Sequence, residues 1–156
     1  MNLQPGTIVY FPQFYFPDGA PAKPKYFIHL CSGEPDVLVA ALPTRTDRTP
    51  ANAVKIHGCI NAKGAAFSSY YFQPGVPITA EGWFFPDPNP TYIYPRWVGT
   101  YKLSIFQDIY SVEGIDYQLV GRLVRSEYEA LTACIRNSND AKMMYKRMLA
   151  QARYDG

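Results

Sequence analysis

Short runs of apolar residues, some alternating with polar ones, dominate the first third of the chain. A turn signal at Pro5-Gly6 precedes the β-branched and aromatic run 7–11, which predicts a first strand. A second strand is predicted at 25–31 from strict alternation, and the continuous apolar run 37–42 is typical of a strand buried on both faces. The alternation places Tyr26, Ile28 and Leu30 on one face of the second strand. It places Lys25, Phe27 and His29 on the opposite face.

Proline-rich and polar segments separate the predicted strands. The segments 16–24, 43–53 and 85–90 predict loops, because they are polar or dense in turn-forming residues. Further short strands are predicted at 58–60, 68–72, 91–94, 102–106 and 115–120. The chain is therefore expected to be strand-rich up to about residue 120.

The pattern changes to a helical period near the C-terminus. Ser126 followed three residues later by Glu129 matches a capping box and predicts a helix start. Apolar residues then recur at helical spacing, the polar run 137–140 interrupts them, and Met144 and Met148 continue the period in a second helix. Two C-terminal helices are therefore expected.

Length and composition favour one globular domain. The chain has 156 residues, of which 47% are hydrophobic and 18% charged. We interpret residues 1–156 as a single domain, with strands over about 5–120 and helices over about 121–156. The predicted fold class is mainly β with C-terminal helices (α+β).

Charge constrains the partners only weakly. The net charge is +2, and Lys and Arg outnumber Asp and Glu six to four over 1–64 and seven to four over 121–156, whereas the middle is acidic, two to five. Such a mild basic excess does not require a nucleic-acid partner.

Cysteine and histidine usage predicts neither a metal nor a cofactor. The chain has three cysteines, Cys31, Cys59 and Cys134. Their odd number and wide spacing predict reduced thiols and a cytoplasmic protein. His29 and His57 lack nearby ligands at zinc spacing. A signal peptide and a membrane-spanning run are both absent from the sequence, so no membrane association is expected.

Three segments in order carry a resemblance to a known family. They are Pro-Gly-Thr-Ile-Val-Tyr at 5–10, Lys-Pro-Lys-Tyr-Phe-Ile-His-Leu at 23–30 and Val-Leu-Val-Ala-Ala-Leu-Pro-Thr-Arg at 37–45. This order resembles the MazF/PemK family over roughly the first 45 residues. The resemblance implies an SH3-like small barrel with two appended helices, usually a homodimer, which acts as an endoribonuclease toxin and is neutralised by an antitoxin protein.

The resemblance also implies site residues. Thr44 matches the family's threonine after the third strand, and Arg45 follows it, whereas Lys23 stands where the family has arginine before proline and Thr7 where it has aspartate. Lysine offers a phosphate a point charge, whereas arginine offers a fixed fork of donors.

Metal-independent cleavage of single-stranded RNA needs a base for the ribose 2′-OH, an acid for the leaving 5′-oxygen and cations around the phosphorus. We expect Lys23, Thr44 and Arg45 to meet at one end of the barrel, with Asp18 as a candidate base. The expected RNA-binding residues are Lys25, Arg48 and His57. His29 or His57 is a further acid–base candidate, because histidine titrates near neutral pH.

Each candidate also has a structural explanation. The cations are ordinary at loop edges, Asp18-Gly19 is a turn former, and His29 shares a strand face with Phe27. The aromatic residues between 70 and 97 are able to stack on RNA bases, but the acidic middle favours core packing or an interface.

Three functions compete at this stage. The first is a metal-independent endoribonuclease toxin of a toxin–antitoxin pair. The alternative is a non-catalytic SH3-like barrel that acts as a protein-interaction or regulatory module. The third is a single-stranded nucleic-acid binder that uses the basic C-terminal helices.

Overall fold

The fold consists of two antiparallel sheets and three α-helices within the residues that the computed structural model describes, 1–62, 64, 66–86 and 88–155. The larger sheet has the spatial order β7 (Gly99–Lys102), β3 (Val37–Ala41), β2 (Lys23–Gly33), β1 (Thr7–Phe14) and β8 (Gln118–Arg122). The smaller sheet has the order β4 (Gly58–Ala62), β5 (Phe67–Phe72) and β6 (Thr91–Ile93). Every neighbouring pair in both sheets is antiparallel.

The two sheets do not close into one barrel over the described residues. They are joined by an isolated bridge between Thr44, just after β3, and Tyr92 in β6. The predicted α+β class with C-terminal helices is confirmed. The SH3-like small barrel of the MazF/PemK type that the resemblance implies stays a prediction.

Most predicted strands are present with shifted ends. β1 and β2 are longer than predicted, and β2 begins at Lys23, so Lys23 and Pro24 lie in a strand instead of the predicted loop. Pro24 is tolerated there because β3 pairs with β2 only from Ile28 onward, so its missing N–H breaks no bond on that side. β8 begins at Gln118, three residues later than predicted.

The strand predicted at 102–106 is wrong, because α1 (Leu103–Ile109) occupies that segment. The Asp36 carboxylate accepts hydrogen bonds from the backbone N–H and the hydroxyl of Ser104, the latter at 2.6 Å. A side chain remote in sequence thus accepts a hydrogen bond from a backbone N–H in the first turn of the helix, as an N-terminal cap does. Phe106 then points into the core.

The two predicted C-terminal helices are present as α2 (Arg125–Arg136) and α3 (Met143–Gln151). The predicted capping box is wrong, because α2 begins at Arg125 with Val124 as N-cap and no side-chain cap. Within the described part of the chain, no helix is long and apolar enough to cross a membrane.

The larger sheet carries a core on each face. On one face Ile8, Ile28 and Leu30 pack with residues of the smaller sheet and of α2 and α3. On the other face Phe11, Phe14, Phe27, Phe106 and Tyr110 form an aromatic cluster. The alternation predicted for β2 therefore separates two cores. Most of the central aromatics are buried as well, whereas Phe84 and Trp97 remain exposed.

A disulfide connects Cys59 in β4 to Cys134 in α2, 75 residues apart in sequence, with a Cα–Cα distance of 5.5 Å. The prediction of three reduced thiols is therefore wrong for this pair, and Cys31 is the buried free cysteine. The disulfide forms despite the wide spacing of these cysteines in sequence, because α2 packs across the smaller sheet and brings Cys134 to β4. Disulfides are typical of oxidising compartments, so the cysteines no longer support the cytoplasmic prediction.

Candidate active site: a cationic groove between the sheets

A groove of about 570 Å³ lies between the start of β2, the loop after β3 and the segment that leads into β6. We call it the cationic groove. Its lining residues are Tyr10, Lys23, Pro24, Lys25, Tyr26, Pro43, Thr44, Arg45, Thr46, Phe85, Pro86 and Thr91. Three of the four predicted catalytic residues and one predicted RNA-binding residue thus line one cavity. Among the residues that the structure describes, neither a carboxylate nor an imidazole lines the groove.

The first part of β2 supplies two of the cations. Lys23 and Lys25 are two residues apart in the strand, so their side chains leave the same face. Lys23 is exposed, and its Nζ lies 5.4 Å from the centre of the Phe16 ring. Lys25 is only partly exposed. The strand thus presents one outer and one inner ammonium group.

The loop after β3 supplies Thr44 and Arg45 and is held by the smaller sheet. Thr44 and Tyr92 exchange two backbone hydrogen bonds, of 2.9 and 2.7 Å. The Tyr94 hydroxyl donates to the Thr46 carbonyl and accepts from the Arg48 N–H at 2.8 Å. These contacts fix the loop backbone opposite β2. The Thr44 hydroxyl oxygen accepts from the Thr46 N–H at 3.2 Å.

Aromatic rings form the floor of the cationic groove. Tyr10 and Tyr26, which face each other across β1 and β2, have ring centroids 5.0 Å apart. The Phe85 ring lies 5.2 Å from that of Tyr26, edge to face. A surface of rings beside cations is suited to a strand whose bases stack while its phosphates meet the charges.

Lys25 is the cation whose proton affinity the groove changes most clearly. Burial, followed by repulsion from Lys23 and Arg45, lowers the pKa of Lys25 to about 8. Burial raises the pKa of Tyr26, with Tyr10 adding to the effect and Arg45 opposing it. Lys25 is therefore able to exchange a proton near neutral pH, whereas Tyr26 stays protonated.

Asp18, Arg48 and His57 do not line the cationic groove. Asp18 lies in the exposed turn after β1, where its carboxylate accepts from the Ala20 N–H at 2.9 Å. The Arg48 guanidinium lies 5.0 Å from the centre of the Trp97 ring. The structure therefore gives Asp18 a turn-forming contact and places Arg48 beside Trp97, outside the described lining of the groove.

His57 belongs to a separate cluster that connects the smaller sheet to α2. Its Nε2 and the Tyr70 hydroxyl each lie 2.5 Å from a different oxygen of Glu127. Its Nδ1 accepts from the Gln73 N–H at 3.0 Å, so Nε2 carries the hydrogen and donates to Glu127. Both ring nitrogens are thus engaged within the protein, and the predicted RNA contact has no geometric support.

His29 is fully buried and lies outside the groove. Its Nε2 lies 3.3 Å from the Ser32 hydroxyl, and its Nδ1 has no hydrogen-bond partner among the described residues. Burial lowers the pKa of His29 to about 4. A neutral, inaccessible imidazole does not reach a substrate, so the acid–base role considered for it is not supported.

The floor residues Tyr10, Tyr26 and Phe85 were not predicted as site residues. Tyr10 and Tyr26 carry a usable signal, because a hairpin between the first two strands sets residues of equal alternation opposite each other. Phe85 carries none, since it reaches the groove from a proline-rich loop 59 residues beyond Tyr26.

Comparison with known proteins adds no assignment. No protein-family model matches the chain, and no curated protein or solved structure is significantly similar to it. Within the described residues, no group of three or more His, Cys, Asp or Glu side chains is arranged to hold a metal ion.

Proposed function

We propose that the protein binds single-stranded RNA in the cationic groove and cleaves it without a metal, as an endoribonuclease toxin of a toxin–antitoxin pair. The observation that carries this proposal is the convergence of Lys23, Lys25, Thr44 and Arg45 in one cavity over an aromatic floor. Cations that line one cavity attract a phosphodiester, and the rings at its floor stack on bases.

The reaction is an internal phosphoryl transfer. The ribose 2′-oxygen forms a bond to phosphorus while the bond from phosphorus to the 5′-oxygen breaks, which leaves a 2′,3′-cyclic phosphate and a 5′-hydroxyl. The 2′-OH proton passes to water, and the 5′-oxygen takes up a proton from a group in the groove. Negative charge on the non-bridging oxygens grows in the transition state, so fixed cations accelerate the step.

The groove residues divide these tasks by position. Lys23 and Arg45 stabilise the charge on the phosphate, and the Thr44 hydroxyl donates a hydrogen bond to one of its oxygens. Lys25, the inner cation, gives its proton to the 5′-oxygen and is reprotonated by solvent. Lys23 provides a positive charge at the position where the MazF/PemK family has an arginine. Arg45 supplies the planar guanidinium group.

The homodimer and the antitoxin partner implied by the resemblance belong to the same proposal, together with the cytoplasmic location predicted from the cysteine usage. A partner surface has some support, because Ile105, Ile109, Val112, Ile115 and Leu119 are all exposed, Ile115 by 73%. These aliphatic side chains on and after α1 also favour the second candidate function, a non-catalytic protein-interaction module.

Incubation of the purified protein with a labelled single-stranded RNA in EDTA tests the proposal. The expected result is discrete cleavage, with products that carry 2′,3′-cyclic phosphate and 5′-hydroxyl ends. Intact RNA beside folded protein would contradict the ribonuclease proposal and favour the interaction module, for which light scattering with and without candidate partners is the next measurement.

A further inference from the structure

A second concave surface, of about 350 Å³, lies between α2 and the C-terminal end of the chain. We call it the helix trough. Its α2 wall consists of residues at positions 125, 128, 129, 132 and 136, which is one face of the helix. At 1.5 Å per residue, Arg125 and Arg136 are roughly 16 Å apart along the helix axis. The trough is therefore elongated.

Guanidinium groups dominate the charge of the helix trough. Arg125 and Arg136 lie on one wall and Arg153 on the other, and among the described lining residues they face one carboxylate, that of Glu129. Glu129 lies 3.8 Å from Arg125, and both side chains are more than half exposed, so this pair neutralises little. The Arg136 guanidinium makes no hydrogen bond or salt bridge within the part of the chain that the structure describes.

The wall formed by the C-terminal segment is held in place. The Tyr154 ring contacts two guanidinium groups, with its centre 3.7 Å from that of Arg122 and 5.1 Å from that of Arg125. Its hydroxyl donates to the Leu123 carbonyl at 2.8 Å. Arg153 donates to the carbonyl oxygens of Ala150 and Ala152. An anion in the trough would thus meet an Arg153 guanidinium that is already positioned, which lowers the ordering cost of that contact.

The helix dipole accounts for the position of only one of the two arginines of α2. Arg136 in the last turn of α2 interacts favourably with the helix dipole, but Arg125 stands at the N-terminal end, where a positive charge is unfavourable. A bound anion would offset that repulsion. Because the cations lie at both ends and on both walls, an extended polyanion suits the trough better than one small anion.

We infer that the helix trough binds the phosphate groups of a stretch of single-stranded RNA that flanks the segment in the cationic groove. This inference rests on the proposed function. Tyr26 of the groove and Tyr128 of the trough pack on the same core cluster. Arginine pairs with phosphate oxygens through two parallel hydrogen bonds, which favours RNA over a loosely held counter-ion.

The test is fluorescence anisotropy with 2′-O-methyl RNA, which cannot be cleaved, in a short form of about five nucleotides and a long form of about twenty. The variant is Arg136→Gln. The matched control is Arg147→Gln, which removes the same charge from an exposed position of α3 outside the trough. Thermal melting of both variants confirms that they are folded.

We expect Arg136→Gln to weaken binding of the long RNA about fivefold at 0.1 M salt and to reduce the slope of log K against log salt by about 0.7, the effect of one lost phosphate contact. The short RNA and the Arg147→Gln variant should bind as the wild type does.

Equal losses of affinity for the long RNA in the two variants would contradict RNA binding in the helix trough. They would show that binding depends only on the overall positive charge. Unchanged binding of the long RNA by Arg136→Gln would overturn it too, while leaving the proposed function intact. Failure of the wild type to bind either RNA would overturn both. A poly-glutamate peptide that binds the wild type but not Arg136→Gln, with no such loss for RNA, would assign the trough to an acidic protein instead.

Discussion

Lys25 is the residue on which the chemistry of the cationic groove depends most. Its pKa is lowered to about 8 by burial and by repulsion from Lys23 and Arg45. Tyr10 and Tyr26 are the other titratable groups among the described lining residues of the groove. In the proposed step Lys25 acts as an acid, so the active form is the ammonium. The value of kcat/KM reports the protonation of the unliganded enzyme.

We therefore expect kcat/KM for RNA cleavage to fall as the pH rises through about 8. Lys25→Arg keeps the positive charge but cannot donate a proton at these pH values, so it should lower the rate by about 100-fold or more and remove this decline. A pH–rate profile of both proteins checks this. Near-normal activity of Lys25→Arg, with the same decline, would show that Lys25 supplies only charge.

His29 makes a separate prediction about stability. Its pKa is about 4 in the folded protein against 6.5 for an ordinary histidine, because burial disfavours the charged ring. Between these values the unfolded chain binds a proton that the folded protein does not. The free energy of unfolding should therefore decrease as the pH falls from about 6.5 to about 4, by about 3 kcal/mol from this group.

Urea denaturation at a series of pH values measures this contribution. His29→Gln should show a shallower pH dependence over the same range than the wild type, whatever its stability at neutral pH. A wild type and variant that lose stability in parallel would mean that other groups cause the acid sensitivity.

At the level of elements, the disulfide between β4 and α2 makes the clearest prediction. It closes a span of 75 residues, and a crosslink of this kind typically contributes about 2–4 kcal/mol. Reduction should therefore lower the melting temperature of the wild type. Cys59→Ser should melt at the lower temperature with or without dithiothreitol. A wild type that is insensitive to dithiothreitol would show that the bond does not stabilise the fold.

The strands could be predicted from the sequence wherever their signal is local. Period-two alternation in β2 and the apolar run of β3 gave both their position and their burial. α1 could not be predicted, because the Leu103-Ser104-Ile105 alternation is also typical of a strand. Its first turn is stabilised by Asp36, 68 residues earlier in the chain, which no local pattern reveals.

At the level of the whole molecule, the cationic groove exists because two sheets meet. The resemblance in the first 45 residues was enough to predict that Lys23, Thr44 and Arg45 meet. Lys23 begins β2, Thr44 and Arg45 follow β3, and these two strands pair antiparallel. The sequence did not allow us to predict three other features of the site. These are the position of Phe85, the contact of Tyr94 with the loop after β3 and the exclusion of His57 from the groove. These depend on how the smaller sheet and α2 pack on the larger sheet, and the same packing joins two cysteines that the sequence separates widely.

The most direct test of the account is cleavage of a long labelled RNA in EDTA by the wild type and by a Lys23→Ala/Arg45→Ala double variant. A Lys146→Ala/Arg147→Ala variant, which removes the same charge from α3, is the control. We expect discrete cleavage by the wild type and the control, and a loss of activity of at least about 100-fold in the groove variant, since each removed charge stabilises the transition state. Equal cleavage by all three proteins would contradict the assignment of the cationic groove as the active site.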